Sequence, residues 1–247
     1  MEKKNIVINL LEYADRVAKG ESQVSLLDDV AATGVGGVEV RREYFKNFDA
    51  ELDDVHKVAT EKGLKIFYSV PEVLFIDGQF NSAILGYLEE GKRMGVTAIK
   101  FNIGDFANFK DDLKQALAPV VAAGIQVNVE NDQTQASGTI QPLLDFLQAA
   151  KAADIDIKYV YDLGNWRFVG EDEFKAAGQL APYVRYIHLK DVVLNDGKPD
   201  VVALDEGVLD WRKVMQVLPD GSPVAIEYPA ADNEVVQTGV DLVATVD

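Results

Sequence analysis

Eight short runs of β-forming residues recur along the chain, and longer stretches with helical spacing of apolar residues separate them. The runs are NIVINLL, GGVEVR, GLKIFYSV, GVTAIKFNI, GIQVNVE, IKYVYD, VRYIHL and PVAIEYP. The stretch from Asp49 to Gly63 places Leu52, Val55 and Ala59 on one helical face and ends at a glycine, a common C-terminal stop. This alternation is typical of βαβ units and a parallel sheet.

The length of the chain fits eight such units. It has 247 residues, close to the roughly 250 that are typical of one (β/α)8 barrel, and 48% of them are hydrophobic. Successive runs lie about 31 residues apart on average, as one strand, one helix and two loops require. We see no linker or low-complexity tract. We therefore predict an α/β fold, a single (β/α)8 TIM barrel, with residues 1–247 as one domain.

Two segments depart from this rhythm. LNDGKPDVVALDEGVLDW, after the seventh run, contains an Asn-Asp-Gly turn and predicts a small hairpin or loop over the barrel mouth, a candidate lid. The tail after Glu227 is short, so we expect the last helix to be short or partly irregular.

Composition excludes several classes of function. A net charge of −17 without a basic stripe argues against binding to nucleic acid. No apolar run reaches the roughly 18 residues of a membrane span, and the first residues do not resemble a secretory signal, so we expect a cytoplasmic protein. The chain has no cysteine, so only carboxylates and histidine are expected to hold a metal.

Four residues that can bind a metal lie at the ends of four successive runs. Glu130, Asp162, His188 and Glu227 end the fifth to eighth runs. Because the C-terminal ends of parallel barrel strands open onto one face, these side chains are predicted to converge. Three carboxylates and one imidazole suit one divalent cation, Mn, Mg, Co or Zn, with open positions for a substrate.

No member of this quartet is persuasive alone. A single glutamate at a strand end usually faces solvent, and a lone histidine among apolar residues, as His188 is, usually belongs to the core. An unpaired charge at Glu227 would be costly in an apolar run, and a metal would remove that cost. The joint placement carries the prediction. His56, the other histidine, lies in a helical stretch and is interpreted as surface or structural.

The chain resembles the xylose isomerase-like barrel superfamily. The resemblance covers most of the chain and rests on YDLGNWRFVGEDEFKAAGQLAPYVRYIHLKDV, GVEVR, VNVEND, AIEYP and ALDEGVLDW. It implies that Glu130, Asp162, His188 and Glu227 bind one divalent cation and that the two glutamates face each other across the substrate. Many epimerases of this superfamily have a substrate-contacting histidine at the position of Asn165. The asparagine here resembles a subgroup with diverse substrates.

The leading hypothesis is a metal-dependent isomerase or epimerase that acts on a sugar or sugar phosphate through a cis-enediolate. The cation would polarise a carbonyl, and Glu130 and Glu227 would act as acid and base on opposite faces. Lys190 could hold a substrate oxygen. Further residues near strand ends could line the pocket: Lys100, Asn102, Glu39, Arg41 and Tyr68. A phosphorylated substrate would require the basic ones to cluster.

Three other hypotheses remain. The first is a lyase of the inosose-dehydratase kind, in which the same enediolate expels a hydroxyl. The second, a nuclease like endonuclease IV, conflicts with two histidines and the acidic charge. The third is a non-catalytic sugar-binding barrel, which would tolerate a broken metal set. The expected partner is a small sugar or polyol. A homo-oligomer is compatible with the resemblance, although no stretch is diagnostic of an interface.

Overall fold

The computed structural model describes residues 1–246, which contain a closed barrel of eight parallel strands surrounded by helices. The strands of the chain are β1 Ile6–Asn9, β2 Gly37–Arg41, β3 Lys65–Ile76, β4 Gln79–Phe80, β5 Ala98–Gly104, β6 Gln126–Glu130, β7 Ile157–Asp162, β8 Val184–Leu189, β9 Asp191–Asn195, β10 Lys198–Val202 and β11 Val224–Ile226. The barrel order is β1, β2, β3, β5, β6, β7, β8 and β11, and β11 pairs with β1 to close it. The predicted TIM barrel is confirmed, and all eight predicted runs form its strands.

Helices follow the barrel strands and cover them from outside. They are α1 Ala14–Ala18, α2 Gln23–Ala32, α3 Phe48–Glu61, α4 Ile84–Met94, α5 Leu113–Ala122, α6 Gln135–Gly138, α7 Ile140–Ala152, α8 Asn165–Val169, α9 Glu173–Leu180, α10 Trp211–Met215 and α11 Asn233–Ala244. Short 3-10 turns lie at Lys3–Asn5, Leu10–Tyr13, Arg42–Tyr44, Phe106–Asn108 and Ala181–Tyr183. Within residues 1–246, no helix has the length and apolar character needed to cross a bilayer.

The last helix differs from the sequence-based expectation. Helix α11 is a regular helix of 12 residues rather than a short or irregular one. It begins only a few residues after Glu227 because Asp232 caps it. The Asp232 carboxylate accepts hydrogen bonds from the backbone N–H groups of Glu234 and Val235. Only a short loop is therefore needed between the last barrel strand and its helix.

The predicted hairpin is present at the C-terminal end of β8. Strands β9 and β10 pair antiparallel, and Asp196 and Gly197 both have positive φ at the turn between them. Asp191 ties this hairpin to the following loop, because its carboxylate accepts hydrogen bonds from the backbone N–H groups of Val192, Gly207 and Leu209. The hairpin and the loop therefore lie at the end of the barrel where β8 ends.

A small apolar cluster fills the lower half of the barrel. We call it the barrel floor; it consists of Val7, Phe67, Ala98, Val160, Tyr186 and Ala225. The rings of Phe67 on β3 and Tyr186 on β8 stack with their centroids 4.6 Å apart, although these strands are not neighbours, so both rings point into the barrel. Side chains two residues further along each strand lie above the floor on the same side.

Candidate metal centre

The four predicted ligands meet above the barrel floor. Glu130 ends β6, Asp162 ends β7, His188 is near the end of β8, and Glu227 directly follows β11. One ligand atom from each residue lies within 4.8 Å of the others, and all four residues are buried. Asp162 and His188 are register partners, and Glu130 pairs with Val160, which lies two residues before Asp162 on the same side of β7. The staggered parallel strands therefore carry these side chains to one end of the barrel interior.

The His188 ring points its two nitrogens at carboxylates. Nε2 lies 2.9 Å from Glu39 Oε2 and donates to it, since a carboxylate can only accept. Nδ1 lies 2.7 Å from Glu130 Oε1 and 3.3 Å from Glu227 Oε2. Among residues 1–246, neither Nδ1 nor Glu130 Oε1 has a partner with hydrogen-bond geometry. Three electron-rich atoms therefore converge on one point, which calls for a positive species between them.

Glu39 supports the ring from below. Its Oε2 also accepts a hydrogen bond from the Tyr186 hydroxyl at 2.6 Å, and its Oε1 accepts one from Asn9 Nδ2 at 3.0 Å. Asn9 Nδ2 donates a second bond, at 2.9 Å, to Glu227 Oε1. Both oxygens of Glu39 are engaged in these hydrogen bonds, so Glu39 orients His188 and shares a donor with Glu227.

Two asparagines clamp Asp162. Asn131 mimics a backbone strand: its Nδ2 donates to the Asp162 carbonyl at 2.8 Å, and its Oδ1 accepts from the Asp162 N–H at 2.9 Å. Asn165 donates from its backbone N–H to Asp162 Oδ1 at 3.1 Å and from Nδ2 to Oδ2 at 2.9 Å. Its Oδ1 accepts from Gln133. The Asn165 amide is thus engaged in holding Asp162.

Three cationic side chains surround the carboxylates. Lys190 Nζ lies 2.6 Å from Asp162 Oδ2 and 3.0 Å from Glu227 Oε2. Lys100 donates to Glu130 Oε2. Arg41 Nη1 donates to Glu227 Oε1 at 3.0 Å. The sequence left open whether these basic residues cluster, and the structure brings all three to the site.

Four carboxylates and three fixed cations leave the site short of positive charge, and this imbalance shifts its proton affinities. Burial raises the pKa of Asp162 to about 7, against the opposing effect of Lys190. Burial disfavours the imidazolium of His188, but the Glu39, Glu227 and Glu130 carboxylates outweigh it and raise its pKa. Burial would also raise the pKa of Glu130, but Lys100 and His188 lower it to about 2. His188 and Asp162 thus have a raised pKa, and Glu130 a lowered one.

A divalent cation fits this site by its donor chemistry. Three carboxylates and an imidazole, with no thiolate, form a ligand set that suits hard or borderline dications. The convergence of His188 Nδ1 with Glu130 Oε1 and Glu227 Oε2 leaves a point that a cation would satisfy. The four residues can therefore hold a metal ion.

The remaining predicted site residues differ in their placement. Asn102 follows Lys100 on the inner side of β5, and its Oδ1 is buried without a hydrogen-bond partner among the described residues. Tyr68 is not brought to the mouth. Its neighbour Phe67 points inward, so Tyr68 points outward, where its hydroxyl donates to Glu90 of α4 at 2.6 Å. His56 is exposed in α3, as expected, and its Nδ1 lies 2.9 Å from the Met94 carbonyl.

Asn9, Asn131 and Tyr186 lie at the site but are not among the residues predicted from the sequence. Asn9 ends β1 and Asn131 follows β6, so a survey of polar residues at all eight strand ends would have found both. Tyr186 lies two residues before His188 on the same strand side, and the period-2 rule indicates its inward position. Asn9 and Asn131 donate hydrogen bonds to Glu227 and Asp162, and Tyr186 donates one to Glu39, so these residues support the predicted quartet instead of adding to it.

Comparisons with known proteins agree with this architecture. The model of the family described as xylose isomerase-like TIM barrel matches residues 27–245. The chain belongs to this family. The family description names a TIM barrel, in agreement with the fold, and membership supports an enzymatic role. A comparison with curated proteins gives no match.

Solved structures with the same fold include enzymes of more than one class. The probable 3-DHS dehydratase AsbF from Bacillus anthracis superposes with a TM-score of 0.75 at 14% identity, covering 98% of this chain and 99% of that one. D-psicose 3-epimerase from Clostridium cellulolyticum H10, bound to D-tagatose, gives 0.70 at 11% identity, with 98% of each chain covered. The IOLI protein, which binds a zinc atom, gives 0.71 at 14% identity, covering 98% and 99%. At these identities the similarity establishes the fold.

Proposed function

We propose that the protein is a divalent-metal-dependent isomerase or epimerase of sugars or sugar phosphates. The observation that carries the proposal is the meeting of Glu130, Asp162, His188 and Glu227 within 4.8 Å at the barrel mouth. Two of these residues are glutamates that reach the same point from β6 and from the end of β11, on different sides of the barrel. A substrate held between them would present its two faces to two carboxylates.

The proposed roles follow from this placement. A bound dication would act as a Lewis acid that polarises a substrate carbonyl and acidifies the neighbouring C–H. Glu130 or Glu227 removes that proton, which gives a cis-enediolate, and the opposite glutamate returns a proton to the other face. Lys190 stabilises developing negative charge on substrate oxygen. Glu39 holds His188 in orientation, and Asn165 and Asn131 hold Asp162.

A lyase reaction is the second candidate, because the two glutamates have unequal surroundings. Glu227 accepts hydrogen bonds from Asn9, Arg41 and Lys190, whereas Glu130 accepts one from Lys100. An epimerase uses both carboxylates for proton transfer at one carbon. Elimination of a hydroxyl group needs one base and one acid, so unequal carboxylates are compatible with it.

The test is a proton-exchange screen by NMR in heavy water with Mn²⁺ and a panel of ketoses, keto-inositols and their phosphates. An isomerase or epimerase incorporates solvent deuterium into a skeleton of unchanged composition. Loss of water from a keto-polyol identifies the lyase instead. Glu130→Gln should abolish exchange, and the exposed Glu61→Gln should not change it. Absence of exchange across the panel with metal-saturated protein would contradict both reactions.

The metal requirement has its own test. Purified wild-type protein is expected to bind about one divalent ion per chain, and Glu130→Gln or His188→Ala should weaken that binding sharply. Metal content is measured by elemental analysis after dialysis against Mn²⁺. Normal metal content in both variants would refute the site independently of any substrate.

A further inference from the structure

Three residues on neighbouring strands form a row beside the candidate metal centre. Arg41 of β2 is the register partner of Ser69 of β3, and Ser69 is the register partner of Lys100 of β5. Neighbouring strands lie about 4.8 Å apart, so the row spans roughly 10 Å. We call Arg41, Ser69 and Lys100 the cationic row.

All three side chains of the cationic row face the barrel interior. Ser69 lies two residues after Phe67, which stacks on Tyr186 in the barrel floor, so it points inward. Arg41 and Lys100 reach the glutamates of the metal centre, which places them inside as well. A guanidinium, a hydroxyl and an ammonium group thus stand side by side on one wall.

Ser69 has a hydroxyl without a visible role in the fold. The residue is 1% exposed, and its Oγ has no hydrogen-bond partner among residues 1–246. A buried hydroxyl without a partner is costly, roughly 1–3 kcal/mol, so such groups are normally satisfied by protein, water or ligand. An anion held between the two cations would accept a hydrogen bond from this hydroxyl.

The neighbouring cations also keep donors for a ligand. Arg41 uses Nη1 for Glu227 and Asn9 and Nε for Glu43, while its Nη2 makes no hydrogen bond to any of residues 1–246. Lys100 donates one of its three N–H groups to Glu130. The row therefore offers a guanidinium N–H, a hydroxyl and ammonium N–H groups to a ligand oxygen pair.

The charge of the site favours an anion with a single charge. Four buried carboxylates face three fixed cations, so a bound dication leaves these groups one positive charge in excess; they are Glu39, Glu130, Asp162, Glu227, Arg41, Lys100 and Lys190. Glu43, the other partner of Arg41, has a side chain that is 36% exposed, so solvent screens its charge. A carboxylate substrate neutralises that excess, a neutral sugar leaves it, and a phosphate dianion reverses it. The excess is unusual in a chain whose net charge is −17.

We propose that the substrate of this site is a polyhydroxy acid, whose carboxylate binds the cationic row while its carbonyl or hydroxyl groups face the metal centre. The inference rests on the proposed function and narrows its substrate class. It also gives Ser69 a role as a specificity-determining residue. Asn102, next on the inner side of β5, has an unpartnered buried Oδ1 that can accept from a substrate hydroxyl.

Binding of non-reactive probes tests the proposal without turnover. Calorimetric titrations of the Mn²⁺-loaded protein compare D-gluconate with D-glucitol, a neutral polyol of the same carbon number, and with D-glucitol 6-phosphate. We expect gluconate to bind at least about tenfold more tightly than glucitol, because hydrogen bonds to a charged partner are the stronger ones. It should also bind more tightly than the phosphate.

Variants show whether the cationic row causes this preference. Ser69→Ala removes a hydroxyl that contacts none of the metal ligands, and it should weaken gluconate binding about tenfold while leaving glucitol binding unchanged. Ser82→Ala, at an exposed serine, is the matched control. Lys100→Met, used once its Mn²⁺ saturation has been verified, should weaken gluconate binding by at least as much.

Several results would overturn the inference. These are equal binding of gluconate and glucitol, tighter binding of the phosphate, no measurable gluconate binding, or a preference for gluconate that survives in both variants. The last result would mean that gluconate chelates the metal directly. If any of these results occurs and deuterium still exchanges into neutral ketoses, the proposed function stands and only the proposal of a polyhydroxy acid substrate is rejected.

Discussion

Glu39 is predicted to control metal affinity although it does not belong to the ligand set. Its Oε2 accepts from His188 Nε2 at 2.9 Å and from the Tyr186 hydroxyl at 2.6 Å, and its Oε1 accepts from Asn9 at 3.0 Å. All four of these groups lie away from solvent. The test substitution is Glu39→Gln, which keeps the shape of the side chain and removes its charge.

The amide of the variant cannot satisfy this environment. If its oxygen faces His188 and Tyr186, its NH₂ group meets the Asn9 donor; in the opposite orientation, its NH₂ group meets the His188 N–H. One hydrogen bond is lost in either case. Loss of the outer partner of a ligating histidine typically lowers metal affinity about 10–100-fold, which corresponds to about 1.4–2.8 kcal/mol.

The free energy of unfolding should distinguish a loss of metal affinity from a general loss of stability. Removal of a buried charge-assisted partner costs about 1.5–3 kcal/mol, but Glu39 is also one of four crowded carboxylates, so relief of repulsion offsets part of the loss in metal-free protein. We therefore expect the free energy of unfolding to fall more in saturating Mn²⁺ than without metal. A metal-bound state that loses its affinity also loses the stabilisation that binding supplies.

Calorimetric titration with Mn²⁺ and urea unfolding with and without metal measure both effects. Glu61→Gln, on an exposed position of α3, is the matched control and should behave as wild type. A dissociation constant for Glu39→Gln within about twofold of the wild-type value would show that Glu39 does not tune His188, contrary to the expected range.

Two further substitutions test the fold around the mouth. Glu12 is buried, and burial raises its pKa, so the folded carboxyl holds its proton to higher pH than the unfolded one and stability falls as pH rises above about 4. The free energy of unfolding of Glu12→Gln, measured with urea, should therefore rise relative to that of wild type by about 1 kcal/mol or more between pH 4 and pH 8. Equal pH profiles for the two proteins would contradict this. A Cβ at Gly207 would lie 2.2 Å from Asp191 Oδ1 and 2.4 Å from the Val192 carbonyl oxygen. Gly207→Ala should therefore lower the melting temperature and reduce the free energy of unfolding by about 1–3 kcal/mol. Gly178→Ala, at a helical position with open space, should be neutral or stabilising, and equal melting temperatures for the two variants would refute the steric reasoning.

Much of the fold and the convergence of the four strand-end residues could be predicted because both depend on periodicity. Parallel strands bring their C-terminal ends to one face whatever their exact register, so Glu130, Asp162 and His188 converge without knowledge of any contact. The expected hairpin likewise followed from a local turn signal at Asp196 and Gly197.

Side-chain direction on apolar strands could not be predicted. The run KIFYSV is apolar on both faces, so its pattern does not show that Phe67 faces inward and Tyr68 outward, and only the ring stack on Tyr186 decides this. For the same reason, the pattern does not identify Ser69 as a residue of the site. The clamp of Asn131 on Asp162 depends on a side chain that replaces a strand partner, which no sequence pattern reveals.

The interior of the barrel has an apolar part, the barrel floor, and a polar part, the mouth. The six residues of the floor come from six strands and pack with each other, below all the polar groups of the mouth. His188 and Glu39 are fully buried, so their electrostatic interactions act in a medium of low polarizability. The polar residues of the candidate site thus lie at one end of the barrel axis, whereas the packing lies in the floor and in the larger core between strands and helices. A chain built this way can exchange residues at its mouth, and so acquire new substrates, without rebuilding the packing that keeps it folded.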